Sequence, residues 1–345
     1  MKKPGIAVIG AGAWGKNIVR NFNILPTCDL RALCDTDPSV LAAHAATIPN
    51  AVMTQNVDEV LSRDDVHGVA IAAQAVVHAD LAGKALSAGK DVFVEKPLTL
   101  STADALDLCR LADEKGRVLM VGHLLLYHPA ILQMLDIIKS GELGEIRYLT
   151  AQRVNLGTVR KDENALWSLA PHDLSIIGEI FNELPVTVSA RGAAYLRPGV
   201  EDVVFLSLRF PNDHLAHVHL SWLDPHKERR MTLVGSQKML AFDDMQVQEK
   251  IRIYDKGVGT SAFVSYDESL TVRNGDIWIP RIKMGEPLRT ECQEFIDCIN
   301  DRRTPKTDGW SGLRVVQLLE AAQTSLDRDG EPITVNSLQE QETAS

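Results

Sequence analysis

Cysteine is scarce in this 345-residue chain and shows no pairing pattern. Its five cysteines, Cys28, Cys34, Cys109, Cys292 and Cys298, form no CxxC pair and no metal-ligand spacing. An odd number without a framework fits a reducing cytosol. An excess of basic charge is also missing. The net charge of -10 argues against a nucleic-acid partner, which would need a basic face. Anionic ligands stay open wherever cations gather locally. No apolar run approaches membrane-spanning length, so no membrane partner is expected. Met1-Lys2-Lys3 runs straight into the strand-like Ile6–Ile9, which leaves no room for a signal peptide, and a cytoplasmic location is expected. Internal repeats, low-complexity segments and the HExxH pattern are absent too. What remains is a chain with 45% hydrophobic and 24% charged residues, ordinary for a globular protein and long enough for two domains. Its tail after about Asn336 is polar and expected to fray.

The first half alternates strand-like and helical patterns. Ile6–Ile9 is a buried-strand run, followed at once by Gly10-Ala-Gly12-Ala13-Trp14-Gly15 and then by Lys16–Phe22, with Ile18, Val19 and Phe22 at helical spacing. In the order strand, GxGxxG, helix, Gly10 permits the tight turn and Gly12 lets a pyrophosphate approach the backbone. Gly15 lets helix and strand pack closely. The helix N-terminus then offers N–H groups and a favourable dipole to phosphate. A second strand, Leu30–Cys34, ends in Asp35, twenty residues after Gly15, where a carboxylate should bond a ribose hydroxyl. Asp35-Thr36-Asp37 carries no Arg or Lys, and its carboxylates would repel a 2′-phosphate, so the cofactor expected is NAD rather than NADP.

Further strand-like runs follow at Ala51–Met53, Gly68–Ala72, Val92–Val94 and Val118–Val121. Val77, Leu81, Ala85 and Leu86 line one helix face, stopped by Gly89, and Ser101 with Asp104 forms a weak capping box for a helix ended by Gly116. Such alternation implies a doubly wound parallel sheet. Val92-Phe-Val94 delivers Glu95 and Lys96 at its carboxyl end, where ligands bind in open α/β sheets, and Pro97 keeps Lys96 out of helical geometry. Taken alone, this stretch also reads as a surface ion pair before a turn. His78, early in its helix, has two readings, a cofactor contact or a solvated helix residue.

After about His123 the pattern changes, and the expected domains are 1–123 and 124–345. A helix at Ala130–Lys139 precedes β-like runs at Ile146–Val154, Val186–Tyr195, Val203–Phe210, His214–Trp222, Arg229–Val234, Met239–Phe242 and Lys250–Tyr254. This predicts an α+β domain with a mostly antiparallel sheet. One helix, Pro171–Phe181, interrupts the strands, and two more, Leu288–Asn300 and Trp310–Leu326, close the chain. Asp255–Pro287 reads as long and irregular, with an extended Ile277–Ile279 inside. His214, His217 and His219 lie close in sequence, the last two on one strand face, but nothing completes a ligand set. A polar sheet face is expected rather than a metal.

Pro171 suits a first helical position, which would put His172 in the first turn, where the helix dipole favours a neutral imidazole able to accept a proton. The plain alternative is a helix start with Asp173 favoured by the same dipole. Arg153, Arg160 and Lys161 precede this segment, and Lys227, Arg229 and Arg230 follow Trp222. They read either as a cationic site for a phosphate or pyrophosphate, or as a solvated edge.

Together, Gly10–Gly15 after a strand, Asp35, Gly89-Lys-Asp-Val-Phe-Val-Glu-Lys-Pro97 and His172 resemble the glucose–fructose oxidoreductase/inositol dehydrogenase (Gfo/Idh/MocA) family. The resemblance spans essentially the whole chain. It implies a Rossmann domain followed by an α+β domain whose large sheet is open on one face, often a subunit interface, hence a homo-oligomer. It carries the family's catalytic lysine onto Lys96 and its catalytic histidine onto His172. Around the cofactor it implies Gly10, Gly12, Ala13, Trp14, Gly15, Asp35, Thr36, Ala73, His78, Glu95 and Lys96. Ser168 stands where many members have Asp, and Leu124–His128 offers no Arg before Pro129. Asn164-Ala-Leu-Trp-Ser-Leu-Ala-Pro-His-Asp with Ser221-Trp-Leu-Asp-Pro-His-Lys is similar to the branch that oxidises nucleotide sugars at C3. That branch implies a UDP-sugar substrate, UDP-N-acetylglucosamine or its uronate. Lys96, Arg153, Asn155, Arg160, Trp167, His172 and Lys227 are its candidate contacts. An NAD-binding regulatory protein on the same fold is the non-enzyme rival, and it would need neither Lys96 nor His172.

Overall fold

Residues 3–157, 159–160, 163–260 and 270–335 are described by a computed structural model. Lys161 and the tail after Asn336 lie outside the described residues. The chain forms two compact units, residues 1–128 with 285–317, and residues 129–284 with the chain from 318 onward.

The first unit begins β1 (Gly5–Ile9), α1 (Gly15–Ile24), β2 (Asp29–Cys34), α2 (Pro38–Ala45), β3 (Val52–Thr54) and α3 (Val57–Leu61). It continues β4 (Gly68–Ile71), α4 (His78–Ser87), β5 (Asp91–Glu95), α5 (Thr102–Lys115) and β6 (Leu119–Gly122). All six strands run parallel in the order β3-β2-β1-β4-β5-β6. This is the doubly wound order expected, and it reverses direction between β1 and β4, where such sheets bind ligands. β1, β4, β5 and β6 are buried throughout, as strands covered by helices on both faces must be. Ser101 caps α5 by accepting from the Asp104 amide, and Gly116 ends it with a left-handed φ of 59°.

The second unit holds α6 (Pro129–Lys139), β7 (Ile146–Val154), α7 (Ala165–Phe181), β8 (Thr187–Ala193), β9 (Val203–Arg209), β10 (Leu215–Ser221), β11 (Glu228–Gly235) and β12 (Met239–Asp243). β13 (Ile251–Thr260) and β14 (Leu270–Trp278) follow. Among the described residues, the last elements are α8 (Pro287–Asp301), α9 (Gly309–Asp327) and β15 (Ile333–Thr334). The nine-stranded sheet runs β14-β13-β12-β11-β7-β10-β9-β8-β15 and is antiparallel except at β7–β10. Val204, Leu206 and Leu208 of β9 and Ala216, Val218 and Leu220 of β10 are buried on one face, while Phe205, Leu215 and Tyr148 stand exposed on the other. Strict alternation of this kind leaves a sheet covered on one side only.

Three sequence expectations fail. The division into two continuous segments at residue 123 does not hold, because α8 and the start of α9 belong to the first unit. Phe295 of α8 packs its ring against Phe22 and Phe93, at 6.3 and 5.9 Å between centroids, inside that unit's core. Arg302 then clamps Asp91 at the start of β5 with two bonds of 2.8 and 2.6 Å. The irregular stretch expected at 255–287 contains most of a β13–β14 hairpin. Finally, the helix expected from Pro171 starts at Ala165, so Pro171 lies inside it.

Candidate active site

The glycine turn fits a dinucleotide in each of its three positions. Gly10 has φ +87°, and a Cβ there would come within 2.7 Å of the Ala73 amide nitrogen. A Cβ on Gly15 would strike the Gly10 carbonyl at 2.0 Å, whereas one on Gly12 would meet nothing within 4 Å. So Gly10 and Gly15 are required by packing, and Gly12 faces open space through which a phosphate reaches the backbone. α1 has no side-chain cap and no acid in its first turn. α2, α3, α5 and α7 are each capped by a side chain, from Asp37, Asn56, Ser101 and Asn164. The Lys16 and Asn17 amides bond the Gly12 and Trp14 carbonyls at 3.2 and 2.9 Å, and the N-terminus beginning at Trp14 offers its dipole to an anion.

Asp35 is set by its own backbone surroundings. One carboxylate oxygen accepts from the Ala11 amide at 2.7 Å and the other from the Asp37 amide at 3.0 Å. Each oxygen keeps acceptor capacity for a ribose hydroxyl. Asp37 caps α2 through the Ser39 amide and hydroxyl, and these bonds hold its carboxyl below the usual range. Thr36 is exposed, and its carbonyl accepts from the Gln55 side chain at 2.7 Å.

The glycine turn and the end of β5 are joined by a side chain. The Trp14 indole N–H donates to Glu95 Oε1 at 2.6 Å, and the Lys96 amide donates to Oε2 at 3.2 Å. Burial pushes the Glu95 carboxyl up, opposed by the Trp14 bond and the Lys96 charge. Lys96 leads into a cis peptide bond to Pro97.

Two groups near this point escaped the sequence reading. Glu95 pairs with Gly122 in the β5–β6 ladder, so His123 is the lateral neighbour of Lys96. His123 is buried, and burial with the nearby Lys96 charge pushes it down to about 3. Glu291 of α8 is buried as well, and burial together with the Glu95 charge raises its carboxyl far above the usual range. His123 could have been read from its place just past a strand. Nothing local marks Glu291, whose helix returns from far along the chain.

His78 is not the solvated helix residue of its second sequence reading. It is 1% exposed, hence not solvated. Its Nδ1 lies 2.8 Å from the Pro97 carbonyl oxygen and its Nε2 3.1 Å from that of Ala73, so both nitrogens face protein.

In the second unit, His172 is the eighth residue of α7 rather than a first-turn residue, so a helix N-terminus does not act on it. The true cap is Asn164, which accepts from the Trp167 amide at 3.2 Å and donates to Glu201 and Gln323. Trp167 donates its indole N–H to the same Gln323 oxygen at 3.1 Å. Ser168, one turn before His172, is buried. Pro171 has no N–H to give the Trp167 carbonyl. Ser175 donates to the His172 carbonyl at 3.0 Å.

The cations expected to gather for a diphosphate are largely neutralised in place. Arg153 is buried, and its Nε and Nη2 bond both Asp173 oxygens at 2.6 and 3.0 Å. Arg160 pairs with Glu163 at 2.9 Å, Arg229 with Asp244 at 3.5 Å and Arg230 with Asp243 at 3.1 Å. Lys227 is exposed, and Asn155, whose amide donates to the Ser221 carbonyl at 3.1 Å, is half-buried. His217 and His219 do share a face of β10, flanking Phe205 in near-parallel stacks. Among the described residues no cluster of His, Cys, Asp and Glu is arranged to hold a metal, and no helix is long and apolar enough to cross a membrane.

A profile described as an oxidoreductase family with an NAD-binding Rossmann fold matches residues 5–123, and the GFO/IDH/MocA C-terminal domain matches residues 131–241. The chain belongs to the Gfo/Idh/MocA oxidoreductases, and its cofactor is NAD. It is 28% identical over 312 residues to UDP-N-acetylglucosamine 3-dehydrogenase of Acidithiobacillus ferrooxidans, covering 90% of this chain and 93% of that one. The solved structure of GnnA, the UDP-N-acetylglucosamine 3-dehydrogenase of Acidithiobacillus ferrooxidans, aligns with a TM-score of 0.82 at 25% identity, over 95% of this chain and 99% of that one. A 2,7-anhydro-N-acetylneuraminate hydratase of Escherichia coli (strain K12) is 25% identical over 262 residues, 71% of this chain and 69% of that one. Similar chains therefore carry names of different reactions, and the reaction here has to be argued from residues.

Proposed function

We propose that the protein oxidises the C3 hydroxyl of a UDP-sugar, UDP-N-acetylglucosamine foremost, to the 3-keto sugar. The observation that carries this reading is Lys96 at the end of β5, tied through Glu95 and Trp14 to the turn built for NAD. Similarity over nine-tenths of the chain to a UDP-N-acetylglucosamine 3-dehydrogenase supports the substrate. NAD, when bound, accepts the hydride. His172 takes the C3 hydroxyl proton on a ring nitrogen, and Lys96 donates a hydrogen bond to the same oxygen as negative charge develops on it. Arg153 is spent on Asp173, so the diphosphate falls to exposed cations, Lys227 and Arg160 among them. Asn155 and Trp167 are further candidates for the nucleotide end. The open sheet face, with Phe205 47% exposed between two histidines, supports a homo-oligomer. A 3-keto product is the substrate class that a sugar aminotransferase consumes, as in the building of 3-amino sugars for surface polysaccharide or lipid A.

The test is NADH formation, followed by absorbance, with UDP-N-acetylglucosamine, its uronate, UDP-glucose and the free sugars. Reduction of NAD by UDP-N-acetylglucosamine above the others is expected. Reduction by a free sugar or polyol but by no UDP-sugar overturns the substrate, and reduction by none overturns the dehydrogenase reading.

A further inference from the structure

His78 carries chemistry that the reaction above leaves unused. Its ring is almost fully enclosed at the start of α4 and faces two backbone carbonyl oxygens, Pro97 at 2.8 Å and Ala73 at 3.1 Å. Carbonyl oxygens only accept, and a neutral imidazole has a single N–H. One ring therefore cannot satisfy both carbonyls unless it is charged. Burial, the largest influence, pushes the ring towards the neutral form with help from the Lys96 charge, against the opposing pull of the Pro97 and Ala73 carbonyls. Assigning the proton to Nδ1, the nitrogen with the shorter contact, makes the ring a donor to Pro97, the residue directly after Lys96. On its other side the ring abuts Ala73, whose amide nitrogen lies so near Gly10 that a Cβ there would come within 2.7 Å. The ring thus stands between the turn that receives the cofactor phosphates and the turn that presents the lysine.

We infer that His78 is a positioning residue, anchoring the turn after Lys96 to the end of β4 and so fixing where the Lys96 ammonium stands. It does not touch substrate or cofactor. Its effect on the reaction passes wholly through Lys96. The inference therefore rests on the role proposed for that lysine.

The experiment is a double-mutant cycle on the full chain: His78→Leu, Lys96→Met and both together, with His78→Asn as the conservative variant. NAD affinity, KM for UDP-N-acetylglucosamine and single-turnover NADH formation are measured for each. His78→Leu should slow turnover about tenfold to a hundredfold, the scale of a displaced catalytic group. NAD affinity and KM should stay within about threefold, since only a transition-state contact is disturbed. Asparagine, which can still donate to Pro97, should restore part of the rate. The double variant should be no slower than Lys96→Met alone, because residues acting as one unit are not additive. Should leucine at 78 prevent folding, the cycle runs with His78→Asn, whose smaller loss must likewise vanish in the Lys96→Met background. If Lys96→Met is slow and the losses multiply, the positioning role is wrong while the lysine's role stands. A Lys96→Met enzyme as fast as wild type overturns both.

Discussion

α1 and α7 open differently. α1 begins at Gly15 with no side chain closing its first turn, whereas α7 begins under Asn164, itself held by Glu201 and Gln323. α4 and α8 also start without a side-chain cap, so what sets α1 apart is the glycine turn before it, where Gly12 is open to a ligand. A closed start is complete without one. The contrast extends to charges. At the carboxyl end of the parallel sheet, buried Glu95 and His123 each sense the charge of half-buried Lys96, and buried Glu291 senses Glu95. In the second unit Arg153, Arg160, Arg229 and Arg230 each meet a carboxylate of the same unit. The second unit has largely answered its own charges.

The largest effects should come from the two groups assigned to proton and charge. His172→Asn should keep NAD affinity and lose about 10²–10⁴ in turnover, the scale of general acid–base catalysis. Lys96→Met should lose about 10²–10³, the scale of one oxyanion donor, again with NAD affinity intact. Near-normal single-turnover rates in either would remove that residue from the reaction. Next comes the buried ion pair. Arg153→Met strands the Asp173 carboxylate and should cost about 3–5 kcal/mol in urea denaturation. A loss under about 1 kcal/mol would show a pair worth no more than a surface one.

Helix starts test the comparison directly. Asn164→Ala should cost about 1 kcal/mol without any ligand, as lost caps do. Trp14→Asp would cap α1 and place a carboxylate where the phosphates belong. It should weaken NAD by at least about tenfold, the equivalent of 1.4 kcal/mol. Equal responses at the two helices, measured by unfolding and by calorimetry, would erase the distinction between them. The last effect, a slope with pH, concerns Glu291. Its folded-state carboxyl is raised, so the native state holds a proton that the unfolded chain releases. Wild-type stability should fall as pH rises above about 4.3, the unfolded value. Glu291→Gln should flatten that fall, and parallel stability curves would contradict the buried charge coupling.

Why some of this was legible in sequence and some was not follows from where each constraint acts. Gly10, Gly15 and Asp35 answer demands of neighbouring backbone, a positive φ, a close approach and two amides, and so could be read in order. Glu95 and Lys96 were legible because the end of a buried strand is marked locally. The start of α7 was misplaced because Pro171 mimics a first helical residue, while Asn164, the actual cap, stands two turns earlier. The β13–β14 hairpin was missed because Gly257, Gly259 and Asn274-Gly275 interrupt the apolar alternation that betrays a strand. Arg153 reads as an available cation until Asp173 is seen against it. No short-range pattern announces that α8 leaves its sequence neighbours to pack against Phe22 and Phe93.

That return of α8 sets an order of events during synthesis. When the first 128 residues leave the ribosome they already contain all six parallel strands, yet Phe22 and Phe93 still lack the ring of Phe295. Eight of the nine strands of the second sheet, β7 to β14, must be made before residues 287–301 emerge to close that core. Until then Phe22, Phe93 and Glu95 wait with one wall missing, a state in which exposed apolar surface invites aggregation or chaperone capture. A fragment ending at His128 would keep every motif for NAD and still be an unfinished nascent intermediate.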